Sequence, residues 1–326
     1  MPLFTIGVTT YRRPEMLREC LTSLLQQTCG DFEVLVGNDY VPGPISQSEL
    51  GFSDPRIKIL NFEKNKGELN NMNYLLSQAS GEYFTWLADD DFMSINALSV
   101  AKATLEKLAP VTSLFMFYRF VPDFVSTDRS LLPAVELRTY EPADFLRDFF
   151  GQKLSIAGCY GFFKPSYLLG KGGMKQLGVG FSPYADNLLA VEAALENRVH
   201  VLPYDAYFIR QHDQSLSHTS TDLRSFETAR NAYRAACGKV FEHPQFHSSM
   251  TELNRLLLRG CLFDLFSVLQ RCKQLRPSYF RSSLVLIPFP SKDFSGFILG
   301  WLQLGKLMIR LAIGRVRSTI SSEGRT

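Results

Sequence analysis

Paired cysteines and long apolar runs are what this 326-residue chain lacks. Its six cysteines, Cys20, Cys29, Cys159, Cys237, Cys261 and Cys272, are scattered and form no Cys-X-X-Cys. That spacing argues against a zinc site or a disulfide framework and fits reduced thiols in a cytoplasmic protein. No window of about 18 residues is both strongly apolar and free of charge, so no transmembrane span is expected. The opening Met1-Pro2-Leu3-Phe4-Thr5 runs straight into a strand-like segment, without the basic and apolar regions of a signal peptide. Tryptophan occurs only at positions 86 and 301, and there is no internal repeat or low-complexity stretch. What remains, 45% hydrophobic and 21% charged, is globular in composition and long enough for one large domain with additions or for two.

The most informative feature present is three consecutive carboxylates, Asp89-Asp90-Asp91, directly behind the apolar run Tyr83-Phe84-Thr85-Trp86-Leu87-Ala88. The run has the length and aromatic content of a buried strand. Aspartate is a poor strand former, so the triplet marks the strand's C-terminal end, where an open α/β sheet places its ligands. Three like charges so close repel one another. A divalent cation removes that cost, and oxygen ligands suit Mg²⁺ or Mn²⁺. The plainer use of the triplet is a solvated acidic turn ahead of the helix that starts near Ser94.

The first 120 residues alternate strand and helix patterns. Strands are expected at Leu3 to Thr9, Phe32 to Gly37, Ile57 to Asn61, Tyr83 to Ala88 and Ser113 to Phe120. Helices are expected at Arg12 to Gln26, with Pro14 in its first turn, at Glu68 to Ala79 and at Ser94 to Lys107. This alternation predicts a largely parallel sheet with helices on its faces. Beyond Asp123 the pattern loosens through a glycine-rich stretch into expected mobile loops. Helices return at Asp186 to Glu196, Phe226 to Phe241, Glu252 to Gln270 and Phe294 to Arg317.

Polar residues collect where a sheet would present them together: Thr9-Thr10-Tyr11-Arg12-Arg13-Pro14, Gly37-Asn38-Asp39, Asn65-Lys66-Gly67-Glu68 and the triplet. Taken with the later Tyr184-Ala185-Asp186-Asn187 and Arg210-Gln211-His212-Asp213, this order resembles family 2 of the inverting glycosyltransferases, which have a GT-A fold. The resemblance covers about residues 3–220. It implies an α/β, Rossmann-like, mostly parallel sheet as the catalytic domain over 1–220, followed by a helical C-terminal region over 221–326.

Carried over by position, the resemblance implies a nucleotide pocket lined by Thr10, Tyr11 and Arg13, with Asp39 accepting a hydrogen bond from the base and Asp89 meeting the ribose. Asp90 would ligate a Mn²⁺ or Mg²⁺ ion that bridges the diphosphate. Asp91 is a neighbouring carboxylate, and His212 adds a metal ligand or touches the diphosphate. Ala88 stands where many members carry the first aspartate of the acidic run, so which of the three carboxylates meets the metal stays open. Asp186 matches the family's base. Arg13 and Lys66 are the cations nearest the diphosphate, with service as solvated helix-start and loop residues as their alternative; Arg210 is a further candidate. Gly67 lies in the same loop and also suits an ordinary turn.

The chemistry asks for these residue types in its own right. A departing nucleotide diphosphate needs cations, and an attacking hydroxyl needs a base aligned with the anomeric carbon. The implied reaction is inverting transfer of one sugar from a nucleotide-diphosphate donor, UDP-linked by preference and dTDP-linked as an alternative, to a saccharide or lipid-linked saccharide. Surface polysaccharide or glycolipid assembly is the implied setting. Processive members carry a QxxRW motif, which is missing here. A sugar nucleotidyltransferase is the first rival, but Thr9 to Pro14 lacks the glycine such an enzyme needs. A catalytically silent, membrane-associated assembly partner is the second.

Charge is uneven along the chain. Residues 241–326 hold 12 Lys and Arg against 5 Asp and Glu, whereas the rest holds 23 against 27. The Phe294 to Arg317 helix places Phe294, Phe297, Ile298, Trp301 and Met308 on one face and Lys306, Arg310 and Arg317 on the other. Such a face packs on the body, on a second copy in a homo-oligomer, or on an anionic membrane surface. The last use would make a cytoplasmic protein peripheral on the inner face of the membrane. Basic residues that alternate with large apolar ones do not suit nucleic acid.

Overall fold

The computed structural model describes residues 1–271 apart from 131–134, 213–214, 216–219 and 221. Its centre is a nine-stranded sheet. The strands are β1 (Phe4–Thr10), β2 (Phe32–Asn38), β3 (Ile57–Asn61), β4 (Tyr83–Ala88), β5 (Phe92–Met93), β6 (Ser113–Val121), β7 (Arg138–Tyr140), β8 (Gly161–Phe163) and β9 (Val199–Arg210). They run in the order β3-β2-β1-β4-β8-β6-β9-β5, with β7 also paired to β9. The β1–β2, β1–β4, β2–β3 and β6–β9 ladders are parallel and long. The pairings of β8, β5 and β7 are short and antiparallel. The sheet is therefore mixed but mostly parallel. Because β8 runs against both β4 and β6, strands β1, β2, β3, β4, β6 and β9 all point the same way. Their C-terminal ends share one edge.

Eight helices lie among the described residues: α1 (Pro14–Leu25), α2 (Glu68–Ser77), α3 (Ala97–Leu108), α4 (Pro142–Phe150), α5 (Pro165–Lys171), α6 (Ala185–Ala193), α7 (Leu223–Phe241) and α8 (Met250–Arg271). Strands β1 and β2 are buried along nearly their whole length, as expected of strands covered on both faces. Alternation sorts their side chains. Phe4, Ile6 and Val8 share one apolar cluster with Leu17, Cys20, Leu21 and Leu24 of α1 and Leu98, Ala101 and Leu105 of α3. The i, i+3, i+4, i+7 spacing on α1 is the stripe that an amphipathic helix buries. Helix α2 covers the other face. Its Asn71 Nδ2 donates to the Gly37 carbonyl at 2.8 Å, and Trp86 Nε1 donates to the Met72 carbonyl at 3.0 Å.

The loose region between Asp123 and Asp186 holds more structure than the sequence pattern suggests. Helices α4 and α5 each begin with proline at the first turn, where its missing N–H costs nothing. Strand β8 is inserted between β4 and β6. Strand β9, which ends two residues before His212, is long, with 12 residues.

The chain divides into two compact units, Met1–Leu256 and Leu257–Thr326. Within the first unit, the Tyr233 ring of α7 stacks on Tyr184 at 5.4 Å and its Phe226 meets Phe181 edge-on at 5.5 Å. Those contacts tie α7 to the segment that presents Asp186. In the second unit the described residues continue α8. The Phe294 to Arg317 helix lies outside the described residues. Among those described, no helix is long and apolar enough to cross a membrane.

Candidate active site

Strands β1, β2, β4 and β9 each send a polar segment to the common edge. Behind β1, Thr10 is buried and donates its hydroxyl to Asp89 Oδ2 at 2.6 Å, with the Tyr11 N–H 3.4 Å from the same oxygen. The Tyr11 ring itself is 47% exposed and meets Tyr40 edge-on. Arg13 spans two carboxylates, with Nη2 2.6 Å from Asp89 Oδ1 and Nη1 2.5 Å from Asp90 Oδ2. The Arg13 pKa is raised: burial works to lower it, and the two carboxylates outweigh burial. Asp89 Oδ1 is fully buried and, despite its charge contact, has no aligned hydrogen-bond donor.

Behind β2, Asp39 accepts the backbone N–H groups of Lys66 at 2.6 Å and Gly67 at 2.8 Å. Gly67 holds φ at +77°, a left-handed conformation that disfavours any side chain. The Lys66 ammonium lies 4.7 Å from the Phe62 ring centre and 4.6 Å from that of Tyr74. What Lys66 contributes to the Asp39 loop is therefore its main chain, while its charge rests on two aromatic faces.

The triplet behind β4 is buried throughout. Burial, followed by the neighbouring Asp90, pushes the Asp89 pKa up to about 6 against the pull of Arg13. Asp91 is raised further, by burial and by Asp90. Its oxygens are both engaged, one by the Tyr160 hydroxyl and the other by the Arg210 N–H at 3.0 Å. That second bond fixes the end of β9, and two residues on His212 Nε2 lies 3.0 Å from Asp90 Oδ2. The Arg210 guanidinium turns away to Glu19 at 2.5 Å and packs over Phe92.

Asp186 lies in the first turn of α6. Burial drives its pKa up to about 6, and no cation opposes the shift; the counteracting contacts are backbone N–H groups, with Asn187 N 2.8 Å from Oδ1. The residue as a whole is nevertheless partly accessible. The Glu68 pKa is raised by desolvation and by the charges of Asp186, Asp90 and Asp89, so Asp186 and the triplet both lie within electrostatic reach of the start of α2. Gly158 sets the spacing on the far side. A Cβ there would come 1.6 Å from the Asp186 carbonyl oxygen, so only glycine lets the 157–160 turn lie against α6.

The sequence pattern did not single out Glu68, Tyr160, Gly158 or Glu19. Glu68 reads as a helix-start acid and Tyr160 as a core aromatic. A glycine four residues before a buried aromatic pair was the available signal for Gly158.

A divalent cation fits this arrangement in one specific way. Among the described residues no group of three or more His, Cys, Asp or Glu side chains forms a cage. Asp90 Oδ2 and His212 Nε2, at 3.0 Å, have the separation of two adjacent ligands about 2.1 Å from an octahedral ion. Two protein donors leave most positions for phosphate oxygens and water, as in sites where Mg²⁺ or Mn²⁺ arrives with its nucleotide. The unaligned Asp89 Oδ1 adds an oxygen close by.

A parallel sheet whose strand ends gather an acidic run, a backbone-clamped aspartate and an isolated accessible carboxylate defines a glycosyltransferase domain of GT-A type. The chain belongs to glycosyl transferase family 2, whose family model matches residues 5–167. Among curated relatives, the UDP-Glc:alpha-D-GlcNAc-diphosphoundecaprenol beta-1,3-glucosyltransferase WfgD of Escherichia coli is 33% identical over 98 residues, 30% of this chain and 39% of that protein. The chain spans between a third and 55% of the length of the first curated relatives it matches. Among solved structures, S. aureus TarS 1-349 in complex with UDP-GlcNAc aligns with a TM-score of 0.61 at 18% identity, covering 79% of this chain and 72% of that one. The mannosyltransferase PcManGT from Pyrobaculum calidifontis, in complex with GDP-Man and Mn²⁺, aligns with a TM-score of 0.54 at 16% identity, covering 94% and 86%. At these identities the two structures speak for the fold.

Proposed function

We propose that the chain transfers a single sugar, with inversion, from a nucleotide-diphosphate donor to a hydroxyl of a saccharide or lipid-linked saccharide in surface polysaccharide or glycolipid assembly. The observation that carries this reading is Asp186, a carboxyl with a raised pKa and, among the described residues, no cation partner, whose charge acts on Glu68 together with those of Asp90 and Asp89. The base of the donor lies against Asp39, whose oxygens are oriented by two backbone N–H groups and keep lone pairs for an imide N–H. This favours UDP, with dTDP as an alternative of the same edge; the donor named for WfgD is UDP-linked. Thr10, Tyr11 and Asp89 flank the ribose side, and Gly67 together with the Lys66 main chain shapes the Asp39 loop.

Arg13 turns from the carboxylates to the diphosphate as that group leaves. Asp186 accepts the acceptor hydroxyl proton on the oxygen that Asn187 leaves open, while the attacking oxygen bonds to the anomeric carbon and the bond to the diphosphate breaks. Asp90 and His212 would hold a Mn²⁺ or Mg²⁺ ion, which when bound neutralises charge developing on the diphosphate. Asp91 serves this site through Arg210, by holding the strand end that carries His212.

The test is thermal stabilisation by UDP with Mn²⁺, since a ligand of the folded state raises the melting temperature by mass action. Asp90→Ala should abolish the metal-dependent part of the shift. A screen of nucleotide sugars for turnover, with product stereochemistry read by NMR, then tests transfer and inversion. A retained anomeric configuration, or no stabilisation by any nucleotide, rejects the reading. No contact in the structure favours a nucleotidyltransferase: the turn after β1 is built on Arg12 at φ +61° and not on glycine.

A further inference from the structure

One aromatic face of the cleft has no part in donor binding as described above. Beyond Met116, β6 continues past the end of its pairing with β8, and its last residues lie along β9 alone. Tyr118 and Phe120 are two positions apart, so they project from the same face of the strand. Their ring centres are 5.3 Å apart at 74°. Arg119, between them, points to the opposite face and pairs with Asp205. Phe120 is 55% exposed and Tyr118 partly so.

Three contacts link Tyr118 to the Asp186 turn through the segment 155–160. The Tyr118 N–H donates to the Ser155 carbonyl at 2.8 Å. The Tyr118 ring lies 6.2 Å from the Tyr160 ring, whose hydroxyl reaches Asp91. Gly158, between Ser155 and Tyr160, is pressed against the Asp186 main chain. The segment 155–160 thus joins the Tyr118–Phe120 face on one side to the Asp186 turn on the other. In keeping with this, burial and then the Asp186 charge raise the Tyr118 pKa.

We propose that the exposed Phe120 ring, held edge-to-face by Tyr118, is the platform on which a pyranose ring of the acceptor stacks, presenting its hydroxyl to Asp186. An aromatic face carries negative charge density, and the axial C–H groups of an equatorially substituted pyranose form a complementary, weakly positive apolar face. The sugar's hydroxyl groups point sideways from that face and stay in water or reach polar neighbours. The assignment specifies the acceptor class as a glycoside with such a C–H face, and it rests on the reading of Asp186 as the base that takes the acceptor proton.

Saturation-transfer difference NMR tests it on the intact chain with saturating UDP and Mn²⁺. The probes are methyl β-D-glucopyranoside, which has three axial C–H groups on one face, and hexanol as an alkyl control. Saturation should reach the H1, H3 and H5 protons of the glucoside in the wild type. Phe120→Ala and Tyr118→Ala should each weaken that signal about fivefold, the scale of one aromatic contact. Phe120→Trp, which keeps the face, should retain it and guards against a misfolded alanine variant. The melting shift with UDP and Mn²⁺ should be the same in every variant, because the platform does not touch the donor. Equal saturation in Phe120→Ala and wild type, contact with hexanol in place of the glucoside, or no glucoside binding to the wild type overturns the platform. Loss of UDP stabilisation in the wild type itself would instead reject the donor reading, so the two failures are told apart.

Discussion

Arg13 Nη1 and Asp90 Oδ2 are 2.5 Å apart, and the same carboxylate oxygen is 3.0 Å from His212 Nε2. The guanidinium therefore sits on the oxygen that a divalent cation would claim. It also answers the repulsion within the triplet that the sequence raises as a question: a resident arginine neutralises part of the cluster before any ligand arrives.

This competition gives a prediction of opposite sign for two measurements. Arg13→Gln should raise the affinity of the nucleotide-free protein for Mn²⁺, by about tenfold, because a charged hydrogen bond no longer has to be broken. The same change should weaken binding of UDP with Mn²⁺, since the diphosphate loses a cation. Electron paramagnetic resonance of free Mn²⁺, with and without UDP, reads both. Metal affinity unchanged or lowered in the variant would remove Arg13 as the competitor.

Asp186→Asn should lower turnover by about 10²- to 10⁴-fold while UDP affinity is kept, because the shape survives and the proton acceptor does not. In the wild type, kcat/KM should rise with pH through about 6, the Asp186 value, and level off above it. The same substitution should stabilise the fold. With the folded pKa at about 6 and the ordinary value at 3.8, the folded chain binds the proton more tightly than the unfolded chain. The resulting penalty is absent at pH below both values, grows between them and is constant above, reaching about 3 kcal/mol at most. Urea unfolding should thus show Asp186→Asn more stable than wild type at pH 7.5, with the gain gone near pH 3.5. Equal stability of the two proteins at both pH values contradicts the penalty.

Gly158→Ala should damage catalysis more than donor binding. A methyl group driven to 1.6 Å from the Asp186 carbonyl forces the 157–160 turn and α6 apart. Overpacking of this kind costs about 1–3 kcal/mol. Turnover should fall with the displaced Asp186, while the UDP melting shift persists on a lowered baseline. Full activity in Gly158→Ala would show that the spacing does not matter.

Tyr160→Phe removes the hydroxyl that reaches Asp91. The buried carboxyl then keeps the Arg210 N–H as its remaining partner, and the lost bond to a raised-pKa, partly ionised carboxyl costs about 1–3 kcal/mol. Urea titration near pH 8 checks the size. Since Asp91 acts on His212 through the end of β9, Mn²⁺ binding should also weaken; a pure stability loss with metal affinity intact would confine Tyr160 to the core.

The parallel half of the fold was legible because its strands are long apolar runs and its helices carry clean stripes, as in α1. The strands β5, β7 and β8, two or three residues each, are too short to show a period of two. Helices α4 and α5 were hidden in the stretch read as loops, although Glu141-Pro142 and Lys164-Pro165 are ordinary starts. At the site, the residue types that carry charge were legible at the strand ends, and Thr10, Arg13, Asp39, Asp89, Asp90 and His212 do converge on the common edge. Direction was not. No pattern distinguishes an Arg210 that turns to Glu19 from one that reaches into the cleft, or a Lys66 that rests on Phe62 and Tyr74 from one that meets phosphate. Glu68 and Tyr160 were missed because their roles depend on which distant groups face them, and only tertiary packing decides that.

Trp86 gives the chain an optical handle. It is buried in β4 three residues before Asp89, edge-on to Phe84 at 4.9 Å, and its indole N–H is bonded to the Met72 carbonyl of α2. The only other tryptophan in the sequence is Trp301. In a Trp301→Phe background, fluorescence would come from a single indole wired to the helix that follows the Asp39-clamped loop. Its emission responds to the field around the indole, to which this hydrogen bond contributes, so a shift of α2 as a nucleotide enters should be readable in real time, without label or radioactive sugar.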